Sequence, residues 1–163
     1  MMTMLAFSLL ATAFDLRDYK IPNALCAGMM LTGVCMTAYH LGFSALRFSF
    51  AGILIPFTLL YLVFYCGMIG AGDIKLFSGI GAFAGTKIVL IMALAFLFNG
   101  ILAAGKLCMK GNFMERIGRF YVYARACEEK GRLLTDYPSD EDSRIHFSIG
   151  ILAAVVVFYL VAR

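Results

Sequence analysis

The sequence predicts an all-α, polytopic membrane protein: a single helical bundle with about six transmembrane helices. Hydrophobic residues occupy 62% of the 163 positions and charged residues only 15%, whereas a soluble domain averages roughly 45–50% apolar residues. The mean hydropathy of +0.87 supports the same conclusion. The charges are also clustered, so that long uncharged stretches alternate with short charged ones. The length allows one membrane domain over 1–163 and no further soluble domain of useful size.

The uncharged stretches delimit the predicted spans, which lie at 1–14, 21–46, 48–72, 76–86, 88–105 and 145–162. A helix needs about 20 residues to cross roughly 30 Å of hydrocarbon, so the first and fourth stretches are too short by themselves. They become long enough if the first runs on towards Lys20 and the fourth takes in Asp73 and Lys75. A lysine inside the membrane edge can still reach the headgroups, but an aspartate cannot. We therefore expect Asp15 and Asp73 at the membrane boundary or slightly inside it.

The longest polar segment, 106–144, is predicted to form an amphipathic helix on the membrane surface before the last span. Its apolar residues Phe113, Ile117 and Phe120 recur at helical spacing. Pro138 then lies in a polar turn that leads to the last span. This segment is therefore interpreted as a helical loop of the membrane domain.

The distribution of Lys and Arg predicts the orientation of the chain. Six spans place three loops on one face, namely 15–23, 66–75 and 106–144. These loops hold nearly all of the basic residues, and the opposite face holds only three of them: Arg47, Lys87 and Arg163. By the positive-inside rule the basic face is cytoplasmic and both termini are outside. Asp15 and Asp73 are then expected on the same cytoplasmic side.

Composition argues against several other classes of protein. The net charge of +4 comes with no interleaved aromatic and basic patch, so no nucleic-acid partner is expected. The five cysteines include no C-x-x-C pair and the two histidines lie far from any such pair, so no metal site is expected. A transporter would place ionisable residues deep in several spans, but the centres of the second, third and fifth spans are uncharged. A non-enzymatic subunit of a pilus or secretion assembly stays an alternative, because it would need neither acid.

Two carboxyl groups at one membrane face suggest acid–base chemistry. In a poorly solvated site both cannot easily ionise, so one keeps a proton while the other stays charged. This is the state that an aspartic protease requires, since the carboxylate takes a proton from water and the neutral acid donates to the scissile carbonyl. Such a reaction needs no cofactor. Gly70 and Gly72 beside Asp73 would let a substrate backbone approach closely.

Each acid also has a plain structural interpretation. Asp73 could simply cap the start of a helix, as aspartate commonly does. Asp15 could be an ordinary boundary charge paired with Arg17 or Lys20. Asp18 competes with Asp15 for the catalytic role, but it lies about one helical turn, roughly 5 Å, further towards water. We therefore expect Asp18 to be solvated.

Three further features are predicted to be structural. Lys75 is expected to extend to the headgroups, with a role in balancing the charge of the two acids as the alternative. His146 is expected to be a hydrogen-bonding core residue at the mouth of the last span, and His40 to lie far from the acids. The small residues of Gly81-Ala82-Phe83-Ala84-Gly85 are expected to pack tightly against another helix.

Two motifs resemble those of a known family. The segment DLRDYKIPN at 15–23 resembles the first aspartate motif of type IV prepilin peptidases, in which Ile-Pro follows the acid at this spacing. The segment GAGDIKL at 70–76 resembles their second motif, which gives the GxGD aspartic proteases their name. The similarity extends to 146–150 at the entry of the last span. The resemblance implies that Asp15 and Asp73 form the catalytic pair, with supporting motif residues Gly70, Gly72, Lys75, Pro22 and Asn23.

The resemblance also implies an activity and a location. Members of the family act in the inner (cytoplasmic) membrane and remove the short basic leader from pilin or pseudopilin precursors at its cytoplasmic face. Larger members carry an N-terminal cytoplasmic insert with paired cysteines and methylate the new N-terminus. No such insert precedes the first motif here, so we expect the short, peptidase-only form that serves tight-adherence (Flp) pilus systems, without methyltransferase activity.

Overall fold

The computed structural model describes residues 2–18, 21–65, 69–109 and 146–161. Within these ranges the chain is helical, without strands, and its helices in chain order are α1 (Met2–Asp18), α2 (Asn23–Leu41), α3 (Leu46–Tyr65), α4 (Ala71–Ala84), α5 (Ile88–Met109) and α6 (Phe147–Val161). Short 3-10 turns precede α3 (Phe43–Ala45) and join α4 to α5 (Gly85–Lys87). The all-α prediction is confirmed. The amphipathic helix predicted in 106–144 lies outside the described residues beyond the end of α5.

Three segments are long and apolar enough to cross a membrane, namely Asn23–Leu41, Phe43–Tyr65 and Ala71–Lys106, while α6 is a shorter apolar helix. Large apolar side chains such as Leu54, Leu62 and Leu97 lie exposed on the outside of the bundle. A soluble protein rarely exposes contiguous apolar surface of this kind, so these features indicate a membrane protein. By length and composition alone, the predicted count of six spans is not confirmed.

The segment Ala71–Lys106 is a helical hairpin. The rings of Phe77 in α4 and Phe96 in α5 stack with centroids 6.3 Å apart, whereas a straight helix would separate two residues at this spacing by about 28 Å. The chain reverses at Gly85, whose φ of 58° suits a residue without a side chain. The break predicted near Lys87, between the fourth and fifth stretches, is therefore confirmed.

Helix α4 is the centre of the bundle. It contacts α1, α2, α3 and α5, and every residue from Leu76 to Ala82 is buried. A helix that is buried on all sides must be apolar or small all round, and the sequence of this segment meets that requirement. With 14 residues α4 is about 21 Å long, but its neighbours surround it and shield it.

The tightest contact lies between α3 and α4. Gly52 and Gly81 are so close that a Cβ atom on either would overlap the carbonyl group of the other. Pro56 lies inside α3 and lacks the N–H group that would otherwise bond the Gly52 carbonyl. This freed carbonyl faces the Gly81 Cα, in the manner of a Cα–H···O contact. Nearby, the Ser49 hydroxyl donates to the Ala82 carbonyl at 2.9 Å. The tight packing predicted for the small residues at the end of α4 is confirmed.

The C-terminus of α1 and the N-termini of α2, α4 and α6 lie at one end of the bundle. We call this the acid end. It is joined by two side-chain hydrogen bonds, from Lys75 to Asn23 at 2.9 Å and from Ser148 to Asp15 at 2.6 Å. The predicted placement of the first two basic loops on one face agrees with this arrangement. His40 lies in the last turn of α2 at the opposite end, beside a cavity of about 510 Å³, so its predicted separation from the acids is confirmed.

Candidate active site

Asp15 lies in the last turn of α1, and its side chain is 15% exposed. Asp18, the final residue of the helix, is exposed, as is Arg17. The two acids of the first motif thus differ in solvation in the way the sequence predicts. Pro22 sits immediately before α2, and its carbonyl accepts the N–H group of Leu25 at 3.1 Å to begin that helix.

Asp73 lies in the first turn of α4, directly after the extended Gly70. Its N–H group donates to the Gly70 carbonyl at 3.1 Å. A negative charge in the first turn of a helix interacts favourably with the helix dipole. Asp73 thus lies at the start of its helix, the position that its structural interpretation expects.

The glycines of the second motif leave free space. A Cβ atom on Gly70 would meet the Asp73 Oδ2 at 3.4 Å, and one on Gly72 would meet Ile21 at 3.9 Å, both ordinary contact distances. Packing among the described residues therefore does not require glycine at either position. Their lack of side chains instead leaves the backbone beside Asp73 accessible, which agrees with the expected close approach of a substrate.

The bundle brings the two motif acids to the same end. Helices α1 and α4 are in contact, with Asp15 in the last turn of α1 and Asp73 in the first turn of α4. The structure therefore gathers both motif acids at the acid end. Like charges that interact in a partly buried site disfavour double ionisation.

The first turn of α6 and the residue before it supply two further groups near Asp15. The Ser148 hydroxyl donates to Asp15 Oδ2 at 2.6 Å, and His146 Nδ1 lies 3.5 Å from the same oxygen. His146 does lie at the mouth of the last helix, but its approach to Asp15 is not foreseen by the sequence. Ser148 is also missed, and the only signal for it is its place in the 146–150 segment that resembles the family.

Lys75 links the two motifs. Its Nζ donates to the Asn23 Oδ1 at 2.9 Å at the exposed surface, and thereby joins the start of α4 to the start of α2. The ammonium group therefore binds a neutral amide of the first motif, which differs from a direct charge-balancing contact with either acid. The exposed side chain agrees with the predicted extension towards the headgroups.

No group of three or more His, Cys, Asp or Glu side chains that could hold a metal ion occurs in the part of the chain that the structure describes. Within the same ranges Cys26 is a buried free thiol and Cys35 an exposed one. Both lie on α2, which begins at the acid end with Asn23.

These features define a helical membrane protein with two motif acids gathered at one end of a tightly packed bundle. The chain matches the model of the type IV leader peptidase family over residues 2–107, and it belongs to that family. The match covers both aspartate motifs and ends before α6. A comparison with curated proteins and with solved structures finds no match. Family membership makes the chain a membrane peptidase.

Proposed function

We propose that the chain is an aspartic endopeptidase that removes the short basic leader from pilin-like precursors at the cytoplasmic face of the inner membrane. One observation carries the proposal: the acids of two motifs far apart in sequence lie at one end of the bundle, on helices that contact each other. Membership of the leader peptidase family supports the reaction class and the kind of substrate.

The proposed roles follow from the surroundings of each acid. The Ser148 hydroxyl donates to Asp15 Oδ2 at 2.6 Å, and a short hydrogen bond of this kind suits a carboxylate acceptor. Since two adjacent charges repel, Asp73 holds the shared proton in the resting site. Asp15 is then the general base and Asp73 the general acid.

The reaction balances with these two groups and one water molecule. Asp15 takes a proton from the water molecule while the water oxygen forms a bond to the scissile carbonyl carbon. At the same time Asp73 gives its proton to the carbonyl oxygen. As the C–N bond breaks, the leaving nitrogen takes the proton held on Asp15. Asp73 recovers a proton from the tetrahedral intermediate, whose oxygen becomes part of the new carboxyl group.

The depth of the acids suits this substrate. Among the described residues, Arg17 and Lys75 lie at the acid end, and Arg47 and Lys87 lie at the other. The positive-inside rule is compatible with a cytoplasmic acid end. A cut at that boundary would separate a polar leader from a helix that stays in the bilayer.

The test is cleavage of a co-expressed pilin-like precursor, with leader removal followed on a gel. Asp15→Asn and Asp73→Asn should each abolish cleavage, because amides neither take up nor release the required proton. Asp18→Asn is the matched control on α1 and should keep substantial activity. All variants must be found in the membrane fraction. Cleavage at the unmodified rate by either of the first two would refute the two-acid mechanism, whereas a precursor left uncut by the unmodified chain would favour a non-enzymatic subunit.

The same assay tests the expected independence from metal ions. Treatment with EDTA should leave leader removal unchanged, because water activated by a carboxylate needs no metal ion. A loss of cleavage that added divalent cation restores would contradict the two-acid mechanism.

A further inference from the structure

The start of α6 forms a buried polar contact with the proposed base. Ser148 is fully buried, and its hydroxyl donates to Asp15 Oδ2 at 2.6 Å. This is the short distance of a hydrogen bond from a hydroxyl to a carboxylate, which is stronger than one between neutral groups. Such a bond fixes the rotation of the carboxylate as well as stabilising its charge.

Ser148 is itself held from two sides. The buried Asn99 of α5 donates from Nδ2 to the Phe147 carbonyl at 3.1 Å, and Thr12 of α1 donates to the Ser148 carbonyl at 3.4 Å. A Cβ atom on Gly150 would overlap the Asn99 amide, so α5 and α6 pack without slack here. The backbone on both sides of the Ser148 Cα is therefore fixed by neighbouring helices.

The contact is specific in its geometry. The hydroxyl that contacts Asp15 is 133 residues away in sequence and lies outside the segment matched to the family model. Other buried hydroxyls of the bundle, such as those of Ser8 and Ser49, donate to backbone carbonyls. Ser148 instead donates to an ionisable side chain at the acid end.

We propose that Ser148 is a positioning residue for Asp15 and that Asn99 holds Ser148 in place. The hydroxyl keeps Oδ2 occupied and sets the plane of the carboxylate, so that Oδ1 takes the proton from the attacking water. The inference rests on the proposed function of Asp15 as general base. The other titratable groups that face Asp15 among the described residues are Asp73 and His146, and they stay unchanged in the test.

The experiment uses the full chain in proteoliposomes with a purified pilin-like precursor made of a lysine-containing leader and an apolar helix. Ser148→Ala should lower kcat by about 10-fold to 100-fold, the scale of a misplaced catalytic group, with KM unchanged. The acidic limb of its kcat profile should move to higher pH, because the carboxylate loses the hydroxyl that stabilises its charge. Ser148→Thr restores a hydroxyl and should recover most of kcat.

Ser8→Ala is the matched control. Ser8 is as buried as Ser148 and lies on α1, but its hydroxyl donates within the helix to the Met4 carbonyl at 2.8 Å. This variant should keep both kcat and its pH profile. Asn99→Ala should lower kcat in the same direction as Ser148→Ala but by less, because the serine hydroxyl is still present.

The outcomes separate this inference from the proposed function. If Ser148→Ala keeps the unmodified kcat and pH profile while Asp15→Asn and Asp73→Asn are inactive, the positioning role is wrong and the two-acid mechanism stands. If Asp15→Asn itself cleaves normally, the proposed function fails. The positioning role would also be overturned if Ser148→Thr did not recover the kcat lost in Ser148→Ala and the thermal midpoints of both variants fell by the same amount.

Discussion

Two interfaces of this bundle solve helix packing in opposite ways. Between α3 and α4, Gly52 and Gly81 bring the two backbones into contact. The side-chain hydrogen bond described between these helices runs from the Ser49 hydroxyl to the Ala82 carbonyl. Between α1 and α6, the contact is made by side chains, with Ser148 and His146 directed at the carboxylate of Asp15. The first interface is uniform and close, and the second is polar and built around an ionisable group.

The difference separates stability from chemistry. Lipid tails are as apolar as the helix surfaces, so helices in a membrane associate through close packing and interhelical hydrogen bonds. The glycine contact serves this purpose next to the buried core of α4. At the polar contact between α1 and α6, the hydrogen-bonding groups are directed at one acid, Asp15. We therefore expect substitutions at α3–α4 to lower stability and those at α1–α6 to lower activity.

The largest expected effect comes from Gly81→Ala. The new methyl group overlaps the Gly52 carbonyl, and because both are parts of packed backbones the free energy of unfolding should fall by about 3 kcal/mol. The unfolding midpoint of the purified protein in detergent measures this loss. Gly28→Ala, where a Cβ atom meets nothing within 4 Å, should leave the midpoint unchanged or raise it. Equal midpoints for the two variants would contradict the close backbone contact.

Gly150→Ala tests the junction of α5 with α6. The methyl group overlaps the Asn99 amide, so the free energy of unfolding should fall by about 2 kcal/mol. In an Asn99→Ala background the space is vacant, and the same substitution should cost about 0.5 kcal/mol or less. A double-mutant cycle measures the coupling, which should exceed about 1 kcal/mol. Additive effects would show that the two residues are not in contact.

Ser49→Ala removes the interhelical hydrogen bond to the Ala82 carbonyl. Such bonds in membranes are worth about 0.6 kcal/mol on average and up to about 1.7 kcal/mol, and a loss of this size is expected in the unfolding free energy. The kcat for leader removal should not change, in contrast to Ser148→Ala. Thr58→Ala is the control, because its exposed hydroxyl bonds only within α3. A lower kcat in Ser49→Ala at unchanged stability would erase the distinction between the interfaces.

The smallest effect is expected for Thr12→Val at the polar interface. The valine keeps the shape of the side chain but loses the 3.4 Å bond to the Ser148 carbonyl. That bond is long and its donor also bonds within α1 at 2.9 Å, so kcat should fall by less than about threefold. The cleavage assay with the same precursor measures it. A larger fall in kcat than the one caused by Ser148→Ala would show that Thr12 on α1 contributes more to the site than the Ser148 hydroxyl does.

Composition and motif spacing predict the all-α class, the small-residue packing of α4 and the gathering of two motif acids at one end. These properties follow from local patterns and from the alternation of helix direction. The contact of Ser148 with Asp15 could not be predicted, because helical periodicity does not say which helices are neighbours. The predicted count of six spans is higher than the number of segments that are long enough to cross a membrane. The rule of about 20 residues assumes that a helix is surrounded by lipid, whereas α4 is surrounded by other helices.

The join between the first and last helices has a consequence for biosynthesis. A ribosome delivers α1 to the membrane long before α6, so Asp15 enters the bilayer edge with its serine partner still unmade. The two catalytic candidates are both present once α4 has inserted, but the assembly that orients one of them waits for α6. Insertion of α6 would thus act as a checkpoint, after which the new peptidase first meets its substrates in working order.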